Sequence, residues 1–149
     1  MTIWADADSM PQEARQMLIR FSLRRGRNVF FVANRDVPLF TKNPLVGMVV
    51  TGAAENAADD YIAEHAAPGD VAVTRDIPLA ARLVKKGLAV LSDRGVAFTG
   101  ENIGERLSAR NFAVSLVNMG VVFERPRNYG KKELERFANT LEKILAASA

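Results

Sequence analysis

Apolar residues in this chain fall into short, nearly continuous runs, and helical patterns with charged faces fill the intervals between them. Thr2 to Ala5 reads as a first strand, Asn28 to Ala33 as a second and Val46 to Val50 as a third. Val71 to Thr74 and Leu88 to Leu91 supply a fourth and a fifth. Helices are expected over Pro11 to Arg24, Asn56 to Ala66, Pro78 to Lys86, Ile103 to Met119 and Lys132 to Ala147. The punctuation agrees: Pro11 stands near a first turn, and Gly26, Pro68-Gly69 and Gly87 stand just past helix ends. Short apolar strands alternating with helices are the pattern of a parallel sheet buried on both faces. The expectation is therefore an α/β fold: one three-layer, Rossmann-like domain over residues 1–149 with a mostly parallel sheet of about five strands.

Composition narrows the chemistry. The 149 residues are 48% apolar and 25% charged, ordinary for a globular domain able to build its own core. There is no cysteine and one histidine, so thiolate sites and multi-histidine zinc sites within one chain are excluded. A metal would rest on carboxylates, amides and water, which favours Mg²⁺ or Mn²⁺. The net charge of +3 leans toward a polyanionic partner. No apolar run approaches a membrane span and no secretory signal opens the chain, so a cytoplasmic protein that does not enter membranes is expected. The glycine fingerprints of dinucleotide and P-loop sites are absent.

In open parallel sheets, ligands bind beyond the carboxyl ends of the strands. The stretch "IWADADSMP" sets Asp6 and Asp8 after the first strand. "VAVTRDIPLA" sets Asp76 after the fourth, and "LAVLSDRG" sets Asp93 after the fifth. Asp59 and Asp60 open the second main helix, about 100° apart, so one of them is expected to face the site. If the first and fourth strands are neighbours, Asp6 and Asp76 stand side by side. Clustered carboxylates stay ionised only if a cation compensates them, and such an ion can support displacement at phosphorus. Singly, each acid has a plainer reading. Asp8, Ser9 or Asp76 would serve as a helix cap, and Asp59 and Asp60 would favour a helix dipole.

Polar companions follow. Asn34 and Thr74 close strands two and four, where each could orient an acid or satisfy a turn. Asn102, Arg106 and Arg110 form an i, i+4, i+8 stripe at a helix start, suited to an anion unless Glu101 and Glu105 pair with the arginines. Arg20 to Arg27 read as a solvated helix face, and Arg35, Arg125, Arg127, Lys131 and Lys132 add further cations. His65 reads as an exposed residue at a helix C-terminus. Phe21, Phe30, Phe31, Phe112 and Phe137 follow core periodicities.

These stretches, with "FFVANR", "ENAADDYIAEHAAPGDVAVTRDIPLAARLVKKG" and "NIGERLSAR", make the sequence resemble the YaiI/YqxD family of small bacterial proteins from residue 3 to about residue 145. That family looks like a branch of the PIN-like nuclease fold. The resemblance implies a metal-dependent nuclease with acids after the first strand, in a central helix and after the fourth strand. Asp6, Asp59 or Asp60, and Asp76 match that layout. Two positions depart from the family pattern. Met10 stands where a cysteine is frequent, which argues against thiol chemistry, and Asn56 stands where an acid is frequent.

The expected function is then Mg²⁺- or Mn²⁺-dependent cleavage of RNA or single-stranded nucleic acid. Asp6 and Asp76 would bind metal, Asp59 or Asp60 would add a carboxylate and Asp8 would assist. Arg106 and Arg110 would hold phosphate, with Asn34, Thr74 and Asn102 beside them. Two rivals are a haloacid-dehalogenase-type phosphatase, from the Asp-x-Asp spacing of Asp6 and Asp8, and a non-catalytic module that binds nucleic acid or protein.

Overall fold

The computed structural model describes residues 1–123 and 128–147. Arg125 and Arg127, expected beside a late loop, lie outside the described residues. The elements are β1 (Thr2–Asp6), α1 (Gln12–Arg25), β2 (Asn28–Ala33), β3 (Val46–Val50), α2 (Ala57–His65), β4 (Val71–Val73), α3 (Ile77–Lys86), β5 (Ala89–Leu91), β6 (Ala97–Phe98), α4 (Ile103–Asn118) and α5 (Lys131–Ala147). The sheet runs β3-β2-β1-β4-β5-β6, parallel except for the antiparallel β5–β6 pair. This is the three-layer, Rossmann-like arrangement, with the strand order reversing direction between β1 and β4. β6 is the sixth strand that hydrophobic pattern does not announce, because two residues are too short to show a period.

Each strand side chain points to one face or the other, and both faces are covered. Ile3 and Ala5 of β1 join Phe31, Val71 and Val73 in a core that α1 and α5 complete through Leu18, Phe21, Phe137 and Leu141. Trp4, between them in sequence, joins Val32 and Ala72 in the opposite core with Ile62, Leu79 and Leu83 of α2 and α3. This two-sided burial explains why β1 is apolar along its whole length until Asp6. Asp70, just before β4, ties the two central strands together, accepting from the Thr2 N–H at 2.9 Å and the Trp4 indole at 3.0 Å.

Gly26 and Gly87 end α1 and α3 in the left-handed region, as their placement predicts. Phe21, Phe31 and Phe137 are buried as expected, whereas Phe112 is 65% exposed. That aromatic follows a helical period, but its helix has no second layer over that face. Arg24 and Arg25 both pair with Glu142 of α5, so part of the expected solvated face is an α1–α5 contact.

Candidate functional site

The site lies where the strand order reverses, at the carboxyl ends of β1 and β4. The register sets Ala5 opposite Val73, so the next residues, Asp6 and Thr74, emerge together. The Thr74 hydroxyl donates to Oδ2 of Asp6 at 2.9 Å and accepts the Asp76 N–H at 3.0 Å. Asp76 in turn caps α3, its Oδ1 accepting the Leu79 N–H at 2.9 Å. Its plain capping role and its place beside Asp6 are thus both real. Asp59, in the first turn of α2, lies close enough to share a hydrogen bond with Asp76.

Asp6, Asp8, Asp59 and Asp76 line one open cavity of about 380 Å³ with Asn34, Asn56 and Arg75. Burial raises the Asp6 carboxyl pKa, partly offset by the Thr74 hydrogen bond, and the charges of Asp8, Asp76 and Asp93 raise it further. Asp59 is pushed up to about 7, first by burial and then by the charges of Asp76 and Asp6. The acids are therefore close enough to resist ionising together.

Asp8 does not cap α1. The residue at that cap is Pro11, with no side-chain bond, and both Asp8 oxygens accept the Asn34 N–H at 3.1 Å. The side-chain oxygen of Asn34 accepts from Thr51 at 3.3 Å, so this residue holds the rim together through backbone and amide alike. Asp60 turns away, forming an exposed ion pair with Arg82 at 2.9 Å. Of the two helix acids, Asp59 is the one that faces Asp6 and Asp76, as their angular separation on a helix requires.

The α4 stripe separates on folding. The Asn102 amide is taken up locally, accepting the Thr99 N–H at 2.8 Å and donating to the Ala97 carbonyl at 2.9 Å. Arg106 lies over the Phe98 ring at 5.7 Å. Arg110 alone reaches the acids, lining a second cavity of about 330 Å³ that also borders Asp59 and Asp76. Among the described residues no ion pair joins either arginine to Glu101 or Glu105.

Arg75 stands between Thr74 and Asp76, where hydrophobic pattern gives no sign of a role. Its Nε donates to the buried Asp93 at 2.7 Å while its side chain borders the acidic cavity. Asp93 therefore supports a cation at the site and is not itself a wall of it. Asn56, which stands where relatives frequently carry an acid, borders both cavities and holds a left-handed backbone at φ 63° before α2. The signal available in sequence was Asn directly before a helix, a residue that tolerates that conformation. A third cavity of about 420 Å³ adjoins the first through Asp8 and Ser9 and brings Arg15 and Arg35 to its wall. Met10 is buried there, packed into the α1 core. His65 is exposed and stacked on Tyr61 at the end of α2, away from the acids.

The donor set can be tested against a hard cation. Among the described residues, no three carboxylate or histidine side chains stand close enough to form a metal cage. Mg²⁺ does not need one, because it is held by one or two carboxylates, with water and substrate phosphate completing its shell. Asp6 and Asp76 each keep an oxygen outside their Thr74 and Leu79 bonds, and the amides of Asn34 and Asn56 are oxygen donors nearby. The residues fit Mg²⁺ or Mn²⁺ on that basis.

Comparison with known proteins agrees over the whole chain. Residues 4–147 match the profile described as "Uncharacterized BCR, YaiI/YqxD family". A UPF0178 protein of Treponema denticola is 48% identical over 146 residues, covering 98% of this chain and 92% of the relative. UPF0178 proteins of Pseudomonas putida and Stutzerimonas stutzeri are 43% and 42% identical, covering 98% and 97% of this chain and 97% and 95% of their own. No solved structure matches. With Asp6, Asp59 and Asp76 lying inside the matched span, the chain belongs to the YaiI/YqxD family.

Proposed function

We propose that this protein is a divalent-metal-dependent nuclease of PIN-like type that hydrolyses RNA or single-stranded nucleic acid. The observation carrying this reading is the meeting of Asp6, Asp59 and Asp76 in one open cavity, where the charge of Asp76 raises the proton affinity of both Asp6 and Asp59. A site that suppresses its own ionisation is one that a cation would restore.

A bound Mg²⁺ or Mn²⁺ would supply charge for the transition state and a more acidic water. Asp6 and Asp76 would hold the ion with their remaining oxygens. Asp59, whose proton affinity is raised by burial and by the charges of Asp76 and Asp6, would be ionised by a cation between those two acids and could then accept a proton from a water in the cavity. Asp8 and Asn34 fix the rim through their mutual hydrogen bonds. Arg75, Arg110, Arg15 and Arg35 surround the acids on three adjoining cavities, where guanidinium groups suit successive phosphates of a strand.

The test is cleavage of labelled single-stranded RNA and DNA in EDTA, Mg²⁺ and Mn²⁺, beside the Asp6→Asn, Asp76→Asn double variant. Metal-dependent cleavage that disappears in the variant is expected. No cleavage, or equal cleavage by the variant, overturns the reading. The arginines around the acids, Arg15, Arg35, Arg75 and Arg110, would equally serve one alternative, a non-catalytic nucleic-acid binder. Its signature is binding that weakens with salt and ignores divalent metal. A dehalogenase-type phosphatase has less behind it, since among the described residues no lysine borders the acidic cavity.

A further inference from the structure

We propose that the cavity between the start of α1 and the loop after β2 is a phosphate subsite, where Arg15 and Arg35 hold a phosphate of the substrate beside the acidic cavity. This deepens the reading above and rests on it for the source of the phosphate. Ser9, Met10, Pro11, Arg15, Arg35 and Val37 line the cavity. Arg15 is half-buried, and its Nη1 donates to the Met10 carbonyl, which holds the guanidinium in place. Its Nε is buried and has no acceptor. A buried N–H on a cation normally meets one, so this donor marks a place for a ligand oxygen. Arg35 is exposed on the loop after β2. Among the described residues neither arginine forms an ion pair, although Asp8 and Asp36 border the same cavity. α1 begins here as well. Pro11 stands at its N-cap and no side chain caps the helix, so its first N–H groups add positive potential.

The neighbouring cavities are less suited to an anion. Arg75 is paired with Asp93, and Arg82 with Asp60. Arg110 shares its cavity with Glu55, Asp59, Asp60 and Asp76. In the acidic cavity, Asp6, Asp8, Asp59 and Asp76 would repel a phosphate until a cation offsets them. The Arg15 cavity shares Asp8 and Ser9 with that wall, so a phosphate held there lies next to the acids without needing the metal. Guanidinium forks suit the oxygens of either a terminal phosphate or an internal phosphodiester. Substrate docking and metal-dependent chemistry are thereby assigned to adjoining cavities.

Binding to the full chain in EDTA tests it, since cleavage needs metal under the proposed reading. Inorganic phosphate should move the Arg15 Nε–H signal in a saturable way in an NMR titration of the arginine side chains. A short single-stranded RNA should lose at least ~10-fold in affinity in the Arg15→Gln, Arg35→Gln double variant. Arg35→Gln alone, at an exposed position, serves if Arg15→Gln disturbs folding, and should reduce the slope of log affinity against log salt by ~0.7. RNA with a 5′-phosphate and RNA with a 5′-hydroxyl separate the two sources. Tighter binding of the first assigns a terminal phosphate, and equal binding assigns an internal one. An Arg15 signal that phosphate leaves unmoved overturns the proposal, as does an RNA affinity unchanged in Arg35→Gln. The nuclease reading fails separately, by absent cleavage in the presence of metal while phosphate still binds at Arg15.

Discussion

The Thr74 hydroxyl donates to Oδ2 of Asp6 at 2.9 Å, joining the ends of the two central strands. The same oxygen accepts the Asp76 N–H, so one buried hydroxyl sets the spacing of two acids. Thr74→Val keeps the shape and removes both bonds. It should cost about 1–3 kcal/mol in urea unfolding, the usual penalty for leaving buried polar groups unpaired. It should also raise the Asp6 carboxyl pKa further, because that hydrogen bond is what opposes the effect of burial. A carboxyl-carbon NMR titration of Asp6 would show the change.

Asp59 links folding to pH. Its carboxyl moves from an ordinary 3.8 to about 7, chiefly through burial and then the charges of Asp76 and Asp6. Between those values the folded chain keeps a proton that the unfolded chain has released. This contribution is complete below about pH 4 and is lost as pH rises through about 7. Asp59→Asn should flatten that part of the stability profile, as measured by denaturation midpoints across pH 4 to 8. An unchanged profile would mean that Asp59 titrates normally.

Asp76 has two roles that substitution can separate. Asp76→Ala removes the cap on α3 and should cost ~1 kcal/mol. Asp76→Asn can still cap while losing its charge, and should leave the melting temperature close to wild type. Both should abolish metal-dependent cleavage under the proposed mechanism. Cleavage that survives in Asp76→Asn would limit this residue to the helix.

Gly95 supports the far edge of the sheet. It lies at φ +84°, and a Cβ there would come within 2.6 Å of the Arg136 backbone in α5. The Thr140 hydroxyl also bonds the Gly95 carbonyl at 2.7 Å. Gly95→Ala should therefore destabilise by more than ~1 kcal/mol, combining backbone strain with a clash that a helix backbone cannot relieve. Equilibrium unfolding in urea would measure it.

The hydrophobic pattern alone determined the order and kind of ten elements, and with them the parallel sheet that places Asp6 and Asp76 at one edge. That information is local: runs of apolar residues, a proline in a first turn, a glycine past a helix end. The sequence also limited the chemistry to oxygen ligands, since it contains no cysteine and a single histidine. Other features depended on contacts between distant residues. Asp59 faces the site and Asp60 does not, because α2 packs Ala58 and Ile62 inward and that fixes its rotation. Asp8 bonds Asn34 because β1 and β2 end side by side, a pairing no cap rule contains. Asn102 and Arg106 are drawn to the β6 turn, a strand too short to have a period, and Arg75 gains its support from Asp93 across the sheet. Phe112 keeps a core-like spacing, but periodicity records only that a face is apolar. Whether another layer covers that face is settled by packing between elements.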